Sequence, residues 1–238
     1  MRKETTFWNY PLVIMGLSLL LLISCKKSDS TKDPTPTSTT VTDIDGNVYH
    51  TVPIGTQVWM VENLKTTKYR NGDPITTNLP NNSDWVNINA GAFCWYLNDI
   101  ANKSTYGALY NWYAVTDSRY ICPLGWHIPT NAEWTTLSTY LGGDNVSGGK
   151  LKETDKTHWL APNLGATNET GFTGLPGGLR GSTGLFDDLG NRSYWWSSTV
   201  GYGGVLIWVC SLSTTNAIFS LNDNISKGQG LSVRCIKD

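Results

Sequence analysis

Residues 122–141 read CPLGWHIPTNAEWTTLSTYL, and this stretch decides the class of the fold. Thr130-Asn131-Ala132-Glu133 has the pattern of a capping box. The threonine hydroxyl accepts from the amide of Glu133, and the carboxylate reaches back to the amide of Thr130. Trp134, Leu137 and Leu141 follow at helical spacing, and Gly142-Gly143 supplies the stop. The pattern predicts a helix over 130–141 with one buried face.

Outward from that helix the signals change. Toward the N-terminus, Val41-Thr42-Asp43-Ile44 and Val48-Tyr49-His50-Thr51-Val52 flank an Asp-Gly turn, which predicts a hairpin. Gln57 to Val61 reads as a third strand. Ser104 to Val115 reads as a second helix, burying Leu109, Trp112 and Tyr113. Lys150 to Glu153 reads as one more helical turn. Beyond Thr154 the chain alternates loops with short strands: residues 194–197, 205–209 and 232–236. Two main helices among short strands and long loops predict an α+β domain.

Composition narrows the function classes. A net charge of -1 gives no basic footprint, so the sequence offers nothing to nucleic acid. Only 16% of residues are charged, while Trp (11) and Tyr (11) are abundant. That balance belongs to a folded body and not to a disordered chain.

The first 24 residues have their own logic. Arg2 and Lys3 precede an apolar run, Leu12 to Ile23, that is too short to span a bilayer comfortably. Leu22-Ile23-Ser24-Cys25 resembles the lipobox of bacterial lipoproteins. The resemblance implies a signal peptide over 1–24 and lipidation of Cys25, with acyl chains as the membrane anchor. Lys26 is not the aspartate of an inner-membrane retention signal, so the expected location is the cell envelope, at the outer membrane. Residues 26–40 hold no apolar side chain except prolines. A tether of that kind reaches roughly 45 Å at about 3 Å per residue. The expected division is therefore 1–24 signal, 25–41 lipidated cysteine and tether, and 42–238 folded domain.

Several phrases of the body occur in a telling order. They are Ile44-Asp45-Gly46-Asn47-Val48-Tyr49, Trp59-Met60-Val61-Glu62-Asn63-Leu64, Tyr106-Gly107-Ala108-Leu109-Tyr110-Asn111-Trp112 and Cys122 to Thr130. Thr170-Gly171-Phe172, Leu175-Pro176-Gly177-Gly178, Trp195-Trp196-Ser197-Ser198-Thr199 and Ser232-Val233-Arg234-Cys235 complete the series. Together they resemble the Fibrobacter succinogenes major paralogous (FISUMP) domain across residues 42–238. One departure is Leu231, where the family usually carries Phe. The resemblance implies a compact domain similar to C-type lectins and to formylglycine-generating, sulfatase-modifying enzymes. It brings no activity, because that architecture hosts both binders and enzymes.

The mature chain holds Cys94, Cys122, Cys210 and Cys235, which allow three pairings. Lectin-like folds imply Cys122–Cys235, stapling the last strand to the helical core. Cys94 and Cys210 then form a second bond or remain buried thiols. No CxxC pair exists and the three histidines are scattered, so no zinc pattern emerges and no metal or cofactor is expected. The copper dithiolate of formylglycine-generating enzymes needs two nearby cysteines, and Cys210 stands alone in its region. The calcium triplets of sugar-binding lectins are incomplete here: Ala161-Pro162-Asn163 lacks a carboxylate, and Asn222-Asp223 follows Leu221. Asp43 to Asn47 is no EF-hand, because Val48 and Ile54 stand where Gly and Glu are needed.

His50, His127 and His158 read as hydrogen-bonded packing residues. Glu62, Asp99, Glu153 and Glu169 are the carboxylates open to pairing. Aromatic rings remain as the richest recognition chemistry, since Trp and Tyr stack on sugars and offer polar edges. Trp59, Trp112, Trp126 and Trp134 sit in core-like patterns. Trp85, Trp195, Tyr202 and Trp208 are the candidate ligand residues. The expectation is a non-enzymatic envelope lipoprotein that binds an extracellular glycan or protein. An oxidase or hydrolase on the same fold, and a purely structural envelope protein, are the alternatives.

Overall fold

The computed structural model describes residues 39–238. The signal segment, Cys25 and most of the tether lie outside the described residues. Strand pairing begins at Thr40, two residues before the boundary read from the sequence.

The elements are short, as the glycine-rich composition requires. Strands β1 (Thr40–Thr42) and β2 (Val48–Ile54) form the expected hairpin, and β3 (Gln57–Met60) pairs with β2. Helix α1 (Asn82–Val86) precedes strands β4 (Phe93–Cys94) and β5 (Leu109–Tyr110), which flank α2 (Lys103–Tyr106). Next come α3 (Trp112–Val115), β6 (Trp126–His127), α4 (Asn131–Tyr140) and α5 (Asp144–Leu151). Strands β7 (Gly177–Arg180), β8 (Phe186–Leu189), β9 (Arg192–Val200), β10 (Leu206–Ser213), β11 (Ser220–Ser226) and β12 (Ile236–Lys237) complete the chain. One sheet runs β1-β2-β3-β12-β6, a second β11-β10-β9, and two small ribbons pair β4 with β5 and β7 with β8. Every strand pair among the described residues is antiparallel. The α+β expectation holds.

Helix α4 forms as read. Thr130 and Glu133 make the reciprocal capping box, and Trp134 and Leu137 are fully buried with Leu141 close behind. Gly142 and Gly143 follow at φ 99° and 93°, a region open to glycine.

The single helix expected over 104–115 is not there. Gly107 turns the chain at φ 73°, and a β-carbon there would sit 2.8 Å from the Leu64 carbonyl. Leu109 and Tyr110 then pair with β4, and Tyr110 exchanges backbone hydrogen bonds with Leu231. Asn111 restarts a helical turn by accepting from the amide of Ala114. Tertiary pairing overrode the local period. The short turn expected at 150–153 is instead the end of the longer α5. Its Gly148 and Gly149 lie so close to the carbonyls of Ile218 and Gly165 that any side chain would collide.

The expected final strand is only partly regular. Residues 230–236 are all buried and change partner every one or two positions. Gly230 bonds Arg180, Leu231 bonds Tyr110, and Ser232 bonds both Tyr194 and Trp196. Val233 then accepts from Leu64, Cys235 from Met60, and Ile236 pairs with Trp59 and His127. One segment thus threads the sheets together.

Loops this numerous bury carbonyl groups that no ladder satisfies. Buried cations satisfy them. Lys152 is fully buried and donates to the carbonyls of Leu164, Ser213 and Asn216 at 2.8–2.9 Å. Burial pulls its ammonium down to about 8. Half-buried Arg70 likewise gathers the carbonyls of Cys122, Pro123 and Trp126.

Cys122 and Cys235 are bonded, 113 positions apart in sequence. Cys94 and Cys210 are separate buried thiols in different core clusters. Closing so long a loop stabilises the fold by about 4–5 kcal/mol through the entropy of the unfolded chain. Urea denaturation with and without reductant should show a loss of about that size, while Cys94 and Cys210 resist thiol reagents until the chain unfolds. Superimposable curves would contradict this.

Candidate functional site

A hollow of about 300 Å³ opens beside the β4–β5 ribbon. Thr76 bridges Ala92, which brings Thr77-Asn78-Leu79-Pro80 alongside β4. Strand β4 runs on into Trp95-Tyr96-Leu97-Asn98, where Leu97 and Asn98 both turn at φ 55°. Asn98 and Asp99 donate back to the carbonyls of Trp95 and Tyr96 and close the turn. The hollow lies between these segments, with Thr77, Asn78 and Pro80 on one side and Cys94, Trp95 and Asn98 on the other.

Arg180 holds the walls in place. It is fully buried, with its guanidinium 4.6 Å from the Trp85 ring and 4.8 Å from the Phe186 ring. It donates to the carbonyls of Gly184 at 2.9 Å and Leu79 at 3.1 Å, and makes a long contact of 3.5 Å with Asn98 Oδ1. One cation therefore touches both sides of the hollow. Asn78 (φ 62°), Leu97 and Asn98 are held in left-handed backbone, which is uncomfortable for leucine above all. Burial pushes the Cys94 thiol up to about 12, against a partial offset from Arg180. It is a packing thiol and not a nucleophile. The lining combines an indole with amide and hydroxyl groups, which suits a ring bearing hydroxyls.

The structure corrects two of the four aromatic candidates. Trp85 and Trp195 are fully buried. Trp85 donates to the Gly228 carbonyl and lies under Arg180, while Trp195 donates to Asn63 Oδ1. Trp195 and Trp196 do face opposite ways on β9, but both faces of that strand are covered, so neither ring reaches solvent. Nine of the ten tryptophans among the described residues are buried, because short elements fill their core with large rings. Trp208 is half-buried on β10, and Tyr202 is 96% exposed in the turn that follows β9. Neither lines the hollow.

The four carboxylates do not pair with one another. Glu62 meets His50, Asp99 caps Ala101, Glu153 meets His158 and Glu169 meets Lys150. The hollow's own residues, Asn78, Trp95 and Asn98, were missed by sequence reasoning. The available signal was a pair of turn-rich stretches, Asn78 to Asn82 and Leu97-Asn98, since Asn tolerates left-handed backbone.

The sequence matches the Fibrobacter succinogenes major domain (Fib_succ_major) over residues 52–237. The chain belongs to that family. No curated protein and no solved structure matches it. In this FISUMP domain five of the eight phrases meet inside the fold. Asn63 Oδ1 accepts from Trp195 Nε1 at 2.8 Å and from Arg234 Nη2 at 2.9 Å. Asn63 Nδ2 donates to the Tyr106 carbonyl and to Ser232 Oγ. The Arg234 guanidinium lies 4.1 Å from the Phe172 ring and 5.2 Å from the Trp195 ring, and donates to the Phe172 carbonyl. Those five phrases thus describe a buried junction, and the hollow lies outside it.

All three histidines contact carboxylates, His50 in the open and His127 and His158 partly sheltered. His127 is doubly held: Nδ1 lies 2.6 Å from Asp238 and Nε2 2.9 Å from Glu133. Burial lowers its pKa, but the two carboxylates outweigh that and raise it above 6.5. Burial raises Glu133, but Thr130 and His127 outweigh that and bring it below 4.5. The clasp therefore joins the chain end to α4. The contribution of His127 is complete below pH 6.5 and is lost as pH rises through its raised value. That of Glu133 is present above 4.5 and is lost as pH falls through its lowered value. Urea midpoints taken from about pH 6 to about pH 8.5 should decline less steeply in His127→Gln than in the native chain. Equal slopes would remove the clasp from the account.

Proposed function

We propose that this chain is a lipid-anchored cell-envelope protein whose FISUMP domain binds an uncharged extracellular glycan without transforming it. The hollow at Trp95 carries the reading. Trp95 is about nine-tenths buried against Phe93 and offers it only a narrow strip of apolar surface, while Asn78, Asn98 and Thr77 offer hydroxyl-matching groups around it. Buried Arg180 fixes both walls before any ligand arrives, which lowers the entropic cost of binding.

The anchor rests on Cys25 and its lipobox-like context, with the tether giving reach from the membrane. Among the described residues no helix is long and apolar enough to cross a membrane. Binding is preferred to oxidation because Cys94 and Cys210 sit in separate clusters, with both thiols pushed up by burial. Two thiols so placed do not make a dithiolate ligand.

An array of cell-wall, plant and host oligosaccharides is the direct test. At least one neutral oligosaccharide should bind, and Asn78→Gly should weaken it ten-fold or more while leaving the unfolding midpoint unchanged. Asn78 is exposed and its φ of 62° suits glycine, so the loss of its amide spares the core. A blank array, or a ligand indifferent to Asn78→Gly, would refute the assignment.

A further inference from the structure

Glu153, Asp155 and His158 follow α5 on one short loop. One oxygen or nitrogen atom from each lies within 4.8 Å of the other two. His158 Nδ1 stands 2.9 Å from both carboxylate oxygens of Glu153. The Glu153 and His158 side chains are 14% and 27% exposed, and Asp155 is open to solvent. The group thus has a sheltered floor and an open mouth. The geometry points to a binding site for one divalent transition-metal ion, Zn²⁺ or Mn²⁺, held by two carboxylates and an imidazole.

The surroundings support a cation here. Asn163 donates from Nδ2 to the carbonyls of Glu153 at 2.9 Å and Asp155 at 3.2 Å, so one side chain fixes the backbone of two ligands. That carboxamide is more than nine-tenths buried, and its Oδ1 has no hydrogen-bond partner among the described residues. An orphaned buried acceptor therefore lies against a turn that already presents two carboxylates. Neighbouring Lys152 does not relieve this, because its ammonium is committed to the carbonyls of Leu164, Ser213 and Asn216. The Tyr106 ring meets the His158 ring edge-on at 5.8 Å and sets its plane.

The donor set selects the ion. An imidazole among the ligands favours zinc or manganese over calcium and magnesium, which prefer oxygen alone. Three protein ligands leave at least one position for water or a partner group. Sequence reading passed over the site because it sought cysteine pairs and histidine repeats. Glu-x-Asp-x-x-His on a loop matches neither. The site shares no residue with the hollow at Trp95 and stands independently of it.

The test is calorimetric titration of the chelator-stripped full chain with Zn²⁺ alone. One equivalent should bind. His158→Gln should abolish binding, and exposed Asp155→Asn should weaken it at least ten-fold with no change in the metal-free unfolding midpoint. His127→Gln, which alters the other histidine with two carboxylate partners, should leave binding intact. Absence of zinc binding, unchanged affinity in Asp155→Asn, or loss in His127→Gln would overturn the proposal.

Discussion

At the centre of this fold sits a guanidinium that, among the described residues, is hydrogen-bonded to amide and carbonyl oxygens and to no carboxylate. Arg234 is almost wholly removed from water, between the rings of Phe172 and Trp195. Burial pulls its pKa down to about 9, against a small opposing pull from Glu62, so the charge is retained at neutral pH at a cost. The amide oxygen of Asn63, the carbonyl of Phe172 and two aromatic faces meet that cost. Remove any of them and a buried charge loses its solvation. The junction is therefore strict about what surrounds it, and it draws those surroundings from five separate parts of the chain.

The same device recurs at lower stakes. Arg180 gathers carbonyls under the Trp85 ring, Lys152 gathers three more near Trp159, and Arg70 gathers the loop around the disulfide. Each lies where short elements leave backbone oxygens without ladder partners. A many-armed donor closes several such debts at once, and an aromatic face covers what remains of its charge. This explains why a chain so rich in glycine and loops also needs so many rings. The tryptophans pack the core and shield its cations, so their abundance says little about the ligand.

That distinction accounts for what the sequence disclosed. The capping box at Thr130, the Asp-Gly hairpin and the stripe of Trp134 and Leu137 depend on local chemistry, and all were legible. The break at Gly107 was not, because it answers to Asn63 and Leu64 some forty residues earlier. Trp85 and Trp195 looked available for ligands because nothing local reveals that a distant arginine lies against each ring. The hollow was hidden for the same reason: Asn78 and Asn98 are neighbours only after Arg180 has tied their segments together. Glu153, Asp155 and His158 were individually visible, but their convergence is a property of the loop.

The buried core of the domain depends first on the Asn63–Arg234 contact. Urea denaturation of Asn63→Leu tests this most directly, since the side chain keeps its size and loses only its polarity. A loss of about 3–5 kcal/mol is predicted, the usual consequence of stranding a buried charge. A variant as stable as the native chain would contradict the account.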